Sequence, residues 1–120
     1  MNGSPHKEGC TYTALREVEK ELINSGIETE IMWLGVKPVS GCLACAQCIR
    51  KGPNGEKPTL RCVINDGVNE FLDKAEKADG FVFGSPVHYA AISGALSSFI
   101  LLNFAVFLFF FIKEKKRIRR

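Results

Sequence analysis

Four cysteines, Cys42, Cys45, Cys48 and Cys62, lie in the segment GCLACAQCIRKGPNGEKPTLRC. Three thiols at C-x2-C-x2-C spacing can turn one side of a short loop toward a common point. Thirteen residues then separate Cys48 from Cys62, which can close the set. Soft thiolates converging in this way suit an iron–sulfur cluster or a tetrahedral zinc ion. The same spacing also fits a loop of inert or partly buried thiols. A fifth cysteine, Cys10, makes the count odd, and Met1 is followed at once by a polar, glycine-rich turn. Both features argue against a secreted disulfide scaffold and for reduced thiols in a cytoplasmic setting.

Two further segments carry chemistry. Asn2-Gly-Ser-Pro-His-Lys-Glu-Gly-Cys-Thr11 runs straight into a helical pattern. The first amides of a helix lack intrahelical acceptors and carry partial positive charge, so a phosphate can settle on them. The Ser4 and Thr11 hydroxyls can donate to it, and His6 and Lys7 can add charge. The plain alternative is a polar turn with an ordinary N-cap. Phe81-Val-Phe-Gly-Ser-Pro-Val-His-Tyr-Ala90 places a polar and aromatic loop after a short apolar run. Open α/β sheets bind ligands at the carboxyl ends of such strands, and Tyr89 can pack near a flat ring. The plain alternative is a strand end with a core tyrosine and a solvent-facing His88. No Ser-His-Asp set, paired carboxylates or Walker-type loop is present, and His6 and His88 are the only histidines.

The elements that must position these segments follow from periodicity. A helix is expected from about Thr11 to Asn24, with Leu15, Val18, Leu22 and Ile23 on one face and Ser25-Gly26 as its stop. Ile27 to Leu34 alternates as a strand does. Residues 35–65 hold the cysteines and a PNGEKP turn cluster, with no long periodic run. Asn65 or Asp66 can cap a second helix through Ala78, its apolar face formed by Val68, Phe71, Leu72 and Ala75, with Asp79-Gly80 ending it. Phe81–Gly84 reads as a strand buried on both faces. A third helix is expected from near Ala91 or Ser93. This order is an α/β alternation, for which parallel strands joined by helical crossovers are the default.

The order GSP-x3-G-x-T before a helix, GC-x2-C-x2-C in mid-chain and FGSPVHYA at the third strand resembles the NAD(P)H-dependent FMN reductase and iron–sulfur flavoprotein family. The resemblance runs from Asn2 to about Phe99. It implies a flavodoxin-like α/β fold, with a parallel sheet and flanking helices. It also implies FMN as cofactor, NAD(P)H as electron donor, and a small-molecule or protein electron acceptor. Ser4, His6 and Thr11 would lie at the FMN phosphate, although the family often has arginine in place of His6 and usually asparagine in place of Cys10. Pro86, Val87, His88 and Tyr89 would lie against the isoalloxazine ring. Cys42, Cys45, Cys48 and Cys62 would hold a 4Fe-4S cluster, across a last gap longer than the family's usual one. No side-chain acid or base is implied for hydride transfer, which the flavin itself carries. Intact relatives form homo-oligomers.

The chain departs from the family at its ends. Only Met1 precedes the Asn2-Gly3 turn, so the first strand is expected to be missing, as are the strands and the third flavin-contacting loop that follow the third helix. The expected division is a partial FMN-binding domain over 1–98, with its cysteine loop at 41–62, and a tail over 99–120. Residues 90–112 contain no charge, and 113–120 carry six basic residues against one acid. The rest of the chain is slightly acidic, so the net charge of +3 does not mark a nucleic-acid face. Phe, Ile, Lys and Arg dominate the tail, as when AT-rich codons are read out of frame. A frame change near Ser98–Ile100 is therefore expected, with a membrane anchor as the competing reading. The alternatives to a flavoenzyme are a zinc-binding module and a small membrane-tethered protein.

Overall fold

Three residues at the start of the chain occupy the middle of a parallel arrangement. In the computed structural model, which describes residues 1–36, 39–64 and 66–102, Asn2 forms parallel bridges to Trp33 on one side and Gly84 on the other. The Asn2 amide donates to Met32 O at 2.7 Å, and Leu34 N donates back to Asn2 O at 3.0 Å. On the other side Gly3 N donates to Gly84 O at 2.8 Å, and Gly84 N to Met1 O at 2.9 Å. The Met1 nitrogen continues the ladder to Val82 O at 2.7 Å. Met1–Gly3 thus fills the central position where the sequence pattern leaves no room for a strand. The spatial order, second segment, first segment, third segment, is that of a flavodoxin-like sheet.

The chain divides into two compact units, Met1–Pro38 with Ala78–Ser97, and Val39–Lys77 with Ser98–Arg120. In the first unit, α1 spans Cys10–Asn24. It ends in a Schellman motif: Gly26 N donates to Ile23 O at 2.9 Å and Ile27 N to Leu22 O at 2.9 Å, with Gly26 at φ 79°. Leu15 is buried, but Val18 and Ile23 are exposed. The inward row is instead Leu15 with Glu19, whose carboxylate is held by Arg16 and by the Thr29 hydroxyl at 3.4 Å.

The two strands expected from pattern alone are extended runs that pair only near their ends. Over 27–34 the ladder reaches only Trp33, and over 81–84 only Gly84 forms a bridge. Phe81, Val82 and Phe83 are exposed rather than buried, with the two phenylalanine rings stacked 6.2 Å apart. A strand is buried on both faces only where helices cover both sides of its sheet, and these three side chains are not covered in that way. A two-residue hairpin follows, β1 Val87–His88 antiparallel to β2 Ala91–Ile92. Ser93 then starts α3, which covers 94–102. The Ser93 hydroxyl accepts from Leu96 N at 3.3 Å and donates to Gly3 O at 2.7 Å.

In the second unit, α2 spans Val68–Ala75, shorter at its carboxyl end than the pattern suggests. Asp66 Oδ1 accepts from the Val68 amide at 3.2 Å, but the N-cap of α2 is Gly67, at φ 87°, so the expected Asp66 cap falls one residue before the helix boundary. Asn65, the other expected cap, lies outside the described residues. Val68, Leu72, Phe99 and Leu102 are buried, and Phe71 meets Phe99 edge-on at 5.5 Å. Among the described residues no helix is long and apolar enough to cross a membrane. The expected tail features beyond residue 102 lie outside the described residues.

Helices approach the first unit's sheet closely enough to exclude side chains. A Cβ on Gly84 would sit 2.9 Å from Leu15 Cγ and Thr11 Cγ2, and one on Gly3 would sit 2.8 Å from Leu96 Cβ. Overpacking of this kind costs about 1–3 kcal/mol. Gly84→Ala should lower the urea-unfolding free energy by that amount. Gly80→Ala, where a Cβ meets nothing within 4 Å, should change it far less. Equal losses would show that close packing at Gly84 does not set the tolerance.

Candidate functional sites in the two units

In the first unit, two loops leave the carboxyl ends of neighbouring parallel segments, residues 4–9 after Met1–Gly3 and 85–92 after Gly84. The first loop is fixed by Asn2, which has no exposed surface. Its Oδ1 accepts from Ser4 N at 3.0 Å and its Nδ2 donates to Lys7 O at 3.1 Å. Trp33 Nε1 donates to Ser4 O at 2.8 Å, and the Lys7 ammonium lies 5.9 Å over the Trp33 ring. Ser4 is itself buried, its hydroxyl accepting from His6 N at 3.1 Å. That leaves the hydroxyl proton to point elsewhere.

The loop delivers Gly9 in extended conformation as the residue before α1. No side chain caps that helix, and no acid lies in its first turn. An uncapped N-terminus beside a serine-containing turn is the arrangement a phosphate needs. Thr11 is half-buried, His6 is exposed, and Cys10 is exposed at the first helical position.

The second loop is the β1–β2 hairpin, with Val87 opposite Ile92 and His88 opposite Ala91. Tyr89 and Ala90 form its tip at φ 50° and 63°. Two successive positive φ values define a primed turn, normally built from Asn and Gly. Its occurrence with Tyr-Ala explains why sequence reading finds only a loop here. Pro86 is half-buried, whereas Val87, His88 and Tyr89 are exposed, Tyr89 completely. Tyr89 is thus an outward-facing ring and not a core tyrosine. Ser85 anchors the hairpin base, accepting from Ser93 N at 2.8 Å while donating to Pro86 O at 2.8 Å.

In the second unit, Cys42, Cys45, Cys48 and Cys62 line one small, largely apolar cavity of about 30 Å³, walled by Leu43, Val63, Ile64, Leu72 and Leu102. Left-handed residues between the cysteines turn the chain, Ala44 at φ 53° and Ala46 at φ 57°. A 3-10 turn, Gln47–Ile49, carries Cys48. The long gap to Cys62 is closed by backbone pairing. Gly52 N donates to Glu56 O at 3.2 Å and Leu60 N to Cys48 O at 2.9 Å. The intervening chain therefore doubles back and returns Cys62 to the other three. Ala44 N and Ile64 N each lie 3.4 Å from a sulfur, of Cys42 and Cys62 respectively. Such N–H donors stabilise thiolate charge.

Burial, and next the neighbouring Cys42, push the Cys48 thiol above its ordinary range, with smaller upward contributions from Cys45 and Cys62. All five cysteines are free. Among the described residues no three His, Cys, Asp or Glu side chains stand in a finished metal-ligating group. The thiols share a cavity and fit a soft metal centre in type and number, but they do not form a closed cage. Sequence reading misses the groups that hold both sites. Asn2 and Trp33 support the first loop. Asn69 supports the second, pairing with the Cys62 backbone at 2.8 and 3.0 Å. The only prior signals were an Asn-x-Ser turn, the chain's single tryptophan, and an asparagine early in a helix.

Comparison with known proteins agrees with this geometry. The family described as NADPH-dependent FMN reductase matches residues 1–106. An iron–sulfur flavoprotein of Methanocaldococcus jannaschii is 36% identical over 96 residues, 80% of this chain and 46% of that protein. One from Archaeoglobus fulgidus is 33% identical over 98 residues, 82% of this chain and 41% of that protein. A Clostridioides difficile iron–sulfur flavoprotein is 29% identical over 102 residues, 82% of this chain and 42% of that protein. The chain spans less than half the length of these relatives. No solved structure matches it. With the second–first–third order of its parallel segments and its uncapped helix behind a Gly-Ser-Pro turn, the chain belongs to the NADPH-dependent FMN reductase family.

Proposed function

We propose that the chain is the flavin-holding part of an NAD(P)H-dependent FMN oxidoreductase. One observation carries this reading: loops 4–9 and 85–92 leave the carboxyl ends of adjacent parallel segments, beside the uncapped start of α1. That is the switch point at which open α/β sheets take up ligands. FMN, when bound, supplies the hydride and electron chemistry. The amides opening α1 and the hydroxyls of Ser4 and Thr11 take its phosphate, with charge from His6. Pro86, Val87, His88 and Tyr89 supply apolar and aromatic surface for the ring. No side chain here needs to act as general acid or base. Electrons pass to a small molecule or an acceptor protein, in a homo-oligomer.

The iron–sulfur names of the relatives and the gathered thiols support a second centre. Cys42, Cys45, Cys48 and Cys62 would hold a 4Fe-4S cluster, which would supply one-electron transfer.

Titrating the protein with FMN and with riboflavin, followed by flavin fluorescence, tests the first reading. FMN should bind more tightly, because only it carries the phosphate. A hydrogen bond to a charged group is worth about 1.5–3 kcal/mol. Ser4→Ala should therefore weaken FMN about 10-fold or more and leave riboflavin nearly unchanged. Tyr89→Ala should weaken both alike. Failure of wild-type protein to bind either flavin refutes the flavin site.

Anaerobic reconstitution with ferrous iron and sulfide should load about four irons per chain, giving a broad brown absorption that Cys48→Ser abolishes. One zinc with no sulfide would replace the cluster by a zinc module.

A further inference from the structure

The cysteine segment is tied at both ends to the start of one helix. Asp66 accepts the Ser40 amide through Oδ2 at 2.8 Å and the Val68 amide through Oδ1 at 3.2 Å. The chain two residues before Cys42 is thereby joined to the first turn of α2. At the far end Asn69 grips Cys62 itself. Its Oδ1 accepts from Cys62 N at 2.8 Å, and its Nδ2 donates to Cys62 O at 3.0 Å. A side-chain amide paired with both backbone groups of one residue acts as a strand partner would. It fixes the direction of the Cys62 Cα–Cβ bond, and the Ile64 N contact at 3.4 Å then holds the sulfur. Arg61, next to Cys62, is clamped to α2 by Asp73 at 2.5 Å and Glu76 at 2.9 Å. Those ion pairs hold a side chain and leave the cysteine backbone to Asn69.

We propose that Asn69 is a positioning residue of the thiolate site, presenting Cys62, the distant fourth ligand, to Cys42, Cys45 and Cys48. The inference rests on the reading of the four cysteines as a metal centre. Without Asn69, the Leu60–Cys48 pairing still returns the chain, but the final residue is free to rotate. Cys62 then spends less time aimed at the cavity, and metal affinity falls. Groups that orient ligands from the next layer out are typically worth about 10–100-fold in metal affinity.

The test is a Co²⁺ titration of the reduced apoprotein, read from thiolate-to-metal and d–d absorption, with apoprotein unfolding measured alongside. Wild type should take one Co²⁺ with a tetrahedral four-thiolate spectrum. Asn69→Ala, which loses both bonds, should bind about 10–100-fold more weakly, with a spectrum losing thiolate character. Asn69→Asp keeps the acceptor for Cys62 N and loses the donor, so it should fall between, and it serves if the alanine variant does not fold. Val68→Ala removes buried carbon from the same helical turn. It should reduce apoprotein stability while leaving Co²⁺ affinity within about 3-fold of wild type, well short of the loss expected for Asn69→Ala. If the Asn69 variants bind Co²⁺ as wild type does, or if Val68→Ala weakens it equally, the positioning role is overturned. If wild type itself takes no Co²⁺, the metal reading falls and the role with it.

Discussion

The first unit depends on the pairing of Met1–Gly3 with the chain on both sides. Five backbone hydrogen bonds converge on these three residues. Each is worth about 0.5–1.5 kcal/mol net, but their larger effect is geometric. They bring residues near 33 and near 84 to a common origin. From there loops 4–9 and 85–92 leave the same ends of the parallel segments, and α1 begins where the first loop ends. Asn2 takes part twice, through its backbone in the ladder and through its side chain in the turn that follows. Ser93 closes the arrangement by capping α3 with a hydroxyl that also donates to Gly3 O. Two glycines complete the constraint, because Leu15 and Leu96 occupy the space their side chains would need.

The cysteine unit rests on a different physical problem. Four thiols spread along the chain must be gathered around one small apolar cavity. Backbone turns at Ala44 and Ala46 do the gathering, and the start of α2 does the holding. Leu72 contributes to both the hydrophobic core and the cavity wall, so α2 lends this one side chain to the surroundings of the thiols. The upward push on the Cys48 thiol reports its burial first and the neighbouring thiols second. A proton on that sulfur relieves both in one way, and a metal ion relieves both in another.

What could be read in advance divides along physical lines. Signals confined to a few adjacent residues were legible: the Ser25-Gly26 stop, a helix starting shortly after Asp66, the helix after Ser93, and the cysteine cluster. Features created by distant pairing were not. Strand character over 27–34 and 81–84 depends on which neighbours lie alongside, and periodicity does not contain that information. The central role of Met1–Gly3 was invisible for the same reason, since three residues carry no period. Glu19 replaced Val18 on the inner face of α1 because Arg16 and Thr29 satisfy its charge, an override of hydrophobicity by local pairing. At the β1–β2 hairpin, Tyr89 and Ala90 adopt a turn that residue preference disfavours. Backbone strain of this sort, about 1–3 kcal/mol per residue, clusters where a chain contacts ligands.

The doubled-back segment between Cys48 and Cys62 has a consequence for how such proteins diverge. Once Leu60 N meets Cys48 O, that hydrogen bond limits how far apart the two cysteines can lie, and the number of intervening residues matters less. Doubling the excursion adds only about 0.6 kcal/mol of closure entropy. The apex around Pro53–Gly55 is therefore free to lengthen or shrink among descendants without disturbing the thiols. Ligand sets of this kind are better traced through the pairing that frames them than by a fixed interval in a motif.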